Sequence, residues 1–258
     1  MRASPMKMPL VFVGHGNPMN AIEDNEFSRA WAQLGKSLPR PRAILCISAH
    51  WETDETCVTS AQQPETIHDF SGFPAELNEM VYPAPGSPAL ARKVMDSTRY
   101  ARIRHDRSWG LDHGAWSVLC RMYPRADIPV VQLSIDAGAP PYFHYELGSE
   151  LAGLRREGVL IMGSGNMVHN LGVMAWQPEG FDWAVESDAA MADLIERRDH
   201  QPLIDYEGLP HSRLAIPTEE HYLPLLYVLG AMGPGETVSF FNDRVTLGSI
   251  SMRGVIIG

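Results

Sequence analysis

The chain has 258 residues, 45% of them hydrophobic and 20% charged, with 31 Asp and Glu against 21 Lys and Arg. That length fits one large domain or two small ones, and it supports a sizeable core without staples. The net charge of -10 argues against a nucleic-acid partner and an anionic membrane surface, because both need a basic face.

Residues 1–9 carry Arg2 and Lys7 but no long apolar stretch, so they do not read as an export signal. Residues 9–14 form a first predicted strand, short and β-branched, which stops at Gly14-His15-Gly16-Asn17-Pro18. Helical spacing through Phe27, Ala30, Trp31 and Leu34 predicts a helix over 25–36. Residues 42–48 read as a second strand leading to His50-Trp51, and 56–60 as a third. Residues 62–88 are rich in Pro, Gly and aromatics, and so long a loop in a compact domain usually serves function. A helix over 88–100 and a short strand over 101–104 follow, then a helix starting near His113. Next come a strand over 128–134, a helix over 142–156 and a strand over 159–163. That strand runs into Ser164-Gly165-Asn166 and a turn carrying His169. An amphipathic helix spans 181–198. Another spans 218–229, with Thr218 as its cap and Glu219 and Glu220 in the first turn. Residues 238–241 and 253–257 read as closing strands.

Strands alternating with helices predict an α/β fold, a single three-layer domain over residues 1–258. No window nears 18 uninterrupted apolar residues, so no membrane span is expected and the expected location is cytoplasmic. Cys46, Cys57 and Cys120 make no C-x-x-C pair and do not describe a disulfide framework.

Four histidines lie at the limits of apolar runs: His15, His50 and His169 follow one, and His221 opens one. Ligands of open α/β sheets bind outside the carboxyl ends of the strands, and imidazole is the commonest metal ligand. A lone histidine in such a place is more often a hydrogen-bonded structural residue. Recurrence at several element ends points instead to a metal centre, although no H-E-x-x-H or zinc-finger spacing is present. The indole of Trp51, beside His50, is expected to wall the cleft. His113, after Asp112, reads equally as an acid/base at the site or as a bystander behind a helix cap. His68 and Phe73, in Ile67-His68-Asp69-Phe70-Ser71-Gly72-Phe73-Pro74, are expected to bind substrate. His105, His144, His200 and His211 are expected on the surface. Other catalytic classes lack their marks, since Gly163-Ser164-Gly165 fits neither a nucleophile elbow nor a dinucleotide fingerprint and no Walker loop occurs.

Taken in order, these segments resemble a known family. Gly14-His15-Gly16-Asn17-Pro18, Ser48-Ala49-His50-Trp51, His68-Asp69-Phe70, Leu111-Asp112-His113-Gly114-Ala115-Trp116, His169-Asn170-Leu171 and Glu220-His221-Tyr222-Leu223-Pro224 are similar to the 4,5-DOPA extradiol dioxygenases. These are class III, LigB-like ring-cleavage enzymes, and the resemblance runs over nearly the whole chain. It implies a central mixed sheet flanked by helices, with a metal cleft at one end. It implies His15, His50 and His221 as ligands of one ion, with His169 as a fourth ligand or as the acid/base. His113 would hydrogen-bond substrate or oxygen. The implied reaction is the opening of a catechol ring with O2.

Iron oxygenases usually pair two histidines with a carboxylate, whereas imidazole occupies the third position here, so Zn2+ and Fe2+ both stay open. Two alternatives of other classes stand beside the dioxygenase: a zinc-dependent hydrolase and a non-catalytic metal-binding protein of the same fold. Self-association into a homo-oligomer is left open.

Overall fold

In a computed structural model describing residues 7–258, the alternating apolar residues of the central strands face two separate cores. Residues 1–6 are outside the described residues, and most of the reading of the amino-terminal segment falls on them. The strands are β1 (Leu10–Gly14), β2 (Ala43–Thr53), β3 (Cys57–Thr59), β4 (Arg104–Asp106), β5 (Val130–Asp136), β6 (Val159–Gly165), β7 (Val238–Phe241), β8 (Val245–Thr246), β9 (Ile250–Ser251) and β10 (Gly254–Ile257). The helices are α1 (Glu26–Ser37), α2 (Ala75–Asn78), α3 (Pro88–Ser97), α4 (His113–Met122), α5 (Pro141–Leu151), α6 (Asp182–Arg197), α7 (Gln201–Ile204), α8 (Ser212–Ala215) and α9 (Leu223–Gly230).

The main sheet runs β4-β3-β5-β2-β6-β1-β10-β7. Its centre, β5-β2-β6-β1, is parallel, while β10 and β7 add antiparallel neighbours on one side. The fold is therefore α/β with a mixed sheet. Leu10, Phe12, Leu45 and Ile47 face one core, which they share with Leu147 and Leu151 of α5 and Leu225 and Leu229 of α9. Val11, Val13, Ile44 and Cys46 face the other, with Trp31 and Leu34 of α1 and Trp116 and Leu119 of α4. Strands buried on both faces give near-continuous apolar runs, as the sequence shows. The carboxyl ends of β1, β2 and β6 meet at one edge of the sheet, so side chains just beyond them converge.

Three expectations need correction. The helix expected from Thr218 starts only at Leu223, because Pro224 in its first turn has no N–H and suits a helix start rather than an interior. Thr218 instead donates to Glu220 Oε1 at 2.9 Å. The strand expected over 101–104 forms at Arg104–Asp106, where β3 supplies a parallel partner. His144, expected on the surface, is buried between α5 and α9 with Nδ1 3.0 Å from Tyr227 Oη. Burial holds its pKa down at about 4, so it is a neutral core residue at neutral pH. Among the described residues, no helix is long and apolar enough to cross a membrane.

Candidate metal centre

Each histidine reaches the cleft through a different local device. His15 leaves the end of β1 into Gly16, whose φ of +57° turns the chain in a way that L side chains rarely adopt. His50 lies within β2, not after it. Between Ile47 and Glu52 the pairing of β2 with β5 shifts register, and the bulge re-aims His50 into the cleft. Gly114 opens α4 against it, and a Cβ there would come within 2.9 Å of His50 Cδ2. His221 precedes α9, its carbonyl fixed by the Asn166 N–H at 2.8 Å. His169 follows β6, its backbone N–H donating to Ala215 O at 2.9 Å.

The ring nitrogens of His15, His50 and His221 gather within one small volume, with ligand atoms no more than 4.8 Å apart. Their tautomers follow from their neighbours. The Ser164 hydroxyl has one proton and gives it to Gly114 O at 2.5 Å. It must therefore accept from His15 Nδ1–H, 3.0 Å away. His50 Nδ1 faces Asp69 Oδ2 at 3.1 Å and His221 Nδ1 faces Glu220 Oε1 at 2.9 Å, so both also carry their proton on Nδ1. All three Nε2 lone pairs then point inward, with those of His15 and His50 3.1 Å apart. Lone pairs this close need a proton or a cation between them. Burial, then the neighbouring imidazoles, holds His15 well below its ordinary pKa. Burial also leaves His221 at about 4, despite Glu220. Rings whose Nδ1 protons are held by carboxylate or hydroxyl partners while their Nε2 atoms converge are what a cation requires, so the donor set fits one divalent ion.

Asp69 links two of the rings. Its second oxygen, Oδ1, lies 2.9 Å from His113 Nδ1 and accepts the His113 backbone N–H at 3.0 Å. Burial alone would raise Asp69, but His113 and His50 together hold it far below the usual carboxylate range. For His50, burial pulls the pKa down, yet Asp69 and the charges of Asp112 and Glu220 outweigh it and leave it raised. His113 packs on His50 with ring centroids 3.9 Å apart. Asp112 does cap α4, accepting from Ala115 N–H at 3.1 Å, and it also accepts from the hydroxyl of Ser48 at 2.6 Å.

His169 stacks on His221 with centroids 3.6 Å apart and planes 9° apart. A nitrogen lone pair lies in its own ring plane. Stacked face to face, the rings of His169 and His221 hold their in-plane lone pairs in parallel planes. No hydrogen bond ties the His169 ring to the described residues, and burial, then His221, lowers its pKa to about 3.

These rings open onto a cleft of about 420 Å3, lined also by Asp69, Phe70, Phe73, Leu171, Met174 and Trp176. Larger hollows elsewhere on the surface hold no such cluster. Phe73 lines the cleft, but Trp51 and His68 do not. Neighbouring strand residues point to opposite faces, so aiming His50 inward turns Trp51 away, where it stacks on Trp109 at 5.5 Å. In the loop, Asp69 reaches the site while His68 turns away from it to pack near Trp116, its Nε2 2.9 Å from Met80 O. Reading the sequence alone overlooked Asp69, Ser164 and Glu220 as partners of the ligands. Only the adjacency of Asp69 to His68 and of Glu220 to His221 hinted at two of them.

Comparison with known proteins agrees with this architecture. Residues 8–251 match the catalytic LigB subunit of aromatic ring-opening dioxygenase. An Escherichia coli K12 protein named 4,5-DOPA dioxygenase extradiol is 46% identical, covering 99% of this chain and 96% of its own. A Beta vulgaris protein of the same name is 41% identical over 90% of each chain. A solved structure of an uncharacterized Escherichia coli K12 protein superposes with a TM-score of 0.85 at 42% identity, covering 97% of this chain and all of that one.

Proposed function

Because the chain belongs to the LigB family of ring-opening extradiol dioxygenases, which are oxidoreductases, we propose that it opens a catechol ring with O2 at one divalent cation held by His15, His50 and His221. The observation that carries this is the inward convergence of three Nε2 lone pairs whose Nδ1 protons are all engaged elsewhere. A bound ferrous ion would supply the redox chemistry that lets O2 react with a diol, while zinc suits the same imidazoles but has no redox chemistry of its own. One ring C–C bond beside the diol breaks and both oxygen atoms enter the product, so no outside reductant is needed.

The remaining roles belong to the protein. The parallel stack against His221 argues against His169 as a fourth ligand and leaves its ring nitrogens for substrate. As a neutral imidazole in the cleft, His169 takes a hydroxyl proton from the diol and returns it to the product. His113, fixed by Asp69, positions a hydrogen bond beside His50. Phe70 and Phe73 give the aromatic ring an edge-to-face wall, their own centroids 5.3 Å apart. The names of the relatives make DOPA the first compound to try.

The test is anaerobic loading with ferrous iron, then exposure to a catechol panel and air, with O2 uptake and a yellow product read together. Uptake stoichiometric with ring opening supports the reading. Intact catechols across the panel in iron-replete protein would refute it. Ester hydrolysis by the zinc form that iron does not improve would point instead to a hydrolase.

A further inference from the structure

Asp112 is fully buried behind the histidines, and its carboxylate is hydrogen-bonded to none of them. Oδ1 accepts from the Ser48 hydroxyl at 2.6 Å and from the Ala115 N–H at 3.1 Å. Oδ2 accepts from Gln132 Nε2 at 2.6 Å and from Trp109 Nε1 at 3.4 Å. The Gln132 amide is held in this orientation, because its Oε1 takes the Asp112 backbone N–H at 3.0 Å. Four donors on two oxygens is the pattern of an ionised carboxylate.

Capping α4 does not call for this charge, since Asn and Ser cap a helix as well as Asp does. An ion buried without a charged partner is costly. All four donors are neutral, and the α4 N-terminus offers only about half a unit of positive charge. The carboxylate lies beside the place where the cation ligands gather. The Ser48 hydroxyl that donates to Oδ1 also accepts the His50 backbone N–H at 3.3 Å. A Cβ built on Gly114 would stand 3.3 Å from Asp112 Oδ1 and 2.9 Å from His50 Cδ2, the ring carbon bonded to Nε2. About one methyl group's width therefore separates the carboxylate from the inward edge of a ligand. Asp69 and Glu220 differ, being partly open to water and bonded to ligand Nδ1 atoms. A dry anion acts through a lower dielectric and is screened less.

We infer that Asp112 is a positioning residue for the ion: it is the buried counter-charge of the divalent cation, acting through its field and bracing His50 through Ser48. This rests on the reading of His15, His50 and His221 as the ligands. At an effective dielectric of about 20, one anion a side chain's width from a ligand is worth about tenfold or more in affinity for a divalent ion. The same field favours a trivalent ion still more, so it lowers the reduction potential of bound iron. A helix cap has no such effect.

The experiment compares the full-length parent with Asp112→Asn and with the double variant Asp112→Asn, Gln132→Glu. In the double variant the negative charge crosses the 2.6 Å bond to position 132, where it still meets the backbone N–H of position 112. Zinc affinity is read by chelator competition and the potential of bound iron by redox titration, neither of which needs turnover. Asp112→Asn is expected to bind zinc at least about tenfold more weakly. Its iron potential should rise, by about 59 mV for each tenfold by which ferric binding weakens more than ferrous. The double variant is expected to recover most of both. Parental affinity and potential in Asp112→Asn overturn the inference and leave the three-histidine centre standing. A double variant as impaired as the single one also overturns it, because bonding rather than charge is then what matters. Should Asp112→Asn fail to fold, the double variant decides: near-parental values support the counter-charge, and binding weakened about tenfold refutes it. No zinc binding by the parent overturns this inference and the metal reading together.

Discussion

Replacing Ser164 with Ala isolates the device that orients His15. The hydroxyl is fully buried, accepts from His15 Nδ1–H at 3.0 Å and donates to Gly114 O at 2.5 Å. His15 is itself 2% exposed, so water is a poor substitute acceptor. Without Ser164 the ring can flip its tautomer or rotate, and Nε2 is no longer held toward the cation. Loss of such an orienting partner typically lowers metal affinity 10- to 100-fold, or about 1.4–2.7 kcal/mol. By mass action the same free energy disappears from the stabilisation that saturating zinc confers. In a chain of this length it should take roughly 3–10 °C off the zinc-induced rise in Tm. Zinc affinity is measured by chelator competition, and Tm with and without zinc by calorimetry. The apo protein is also expected to lose about 1–3 kcal/mol, because two buried polar groups lose a partner. Ser117→Ala is the control: that buried hydroxyl has no partner among the described residues, so its removal should leave zinc affinity unchanged. Parental zinc affinity and an undiminished Tm rise in Ser164→Ala would refute the tautomer argument.

His169→Ala should keep most of the metal and lose about 10²–10⁴ in kcat, whereas His221→Ala should lose the metal, as metal analysis beside O2 uptake will read. Asp69→Ala should lower both metal affinity and turnover by severing His50 and His113 from their shared carboxylate, while His68→Ala should change kcat/KM by less than about threefold. Away from the site, the fully buried Arg155 pairs with Glu236 at 2.7 Å, and together with Lys7 and the Gly233 N–H it outweighs burial to hold Glu236 at about 2. A lowered folded pKa means the stabilisation is complete above the ordinary value of 4.5 and is lost as pH falls from there toward 2. Glu236→Gln should therefore cost about 3–5 kcal/mol in urea unfolding at pH 7, with the gap to the parent closing toward pH 2.5. A gap independent of pH would count against the pair as its source.

Local chemistry carried much of the architecture. The β-branched runs of β1, β2, β5 and β6 and the spacing of Trp31 and Leu34 in α1 are written in adjacent residues, because both faces of the central strands are buried and the helices need one apolar stripe. The positions of His15, His50, His169 and His221 at the limits of those runs told where a cation could be held. Tertiary structure decided what neighbours along the chain cannot specify. The β2 bulge set which of His50 and Trp51 faces inward, and the loop set which of His68 and Asp69 does. Pro224 delayed α9 past His221. The pairing of His15 with Ser164, 149 residues apart, and the stack of His169 on His221 exist only once the sheet has brought β1, β6 and the start of α9 to one edge. A side chain's type is local, but its direction and its partner are set by the packing of distant elements.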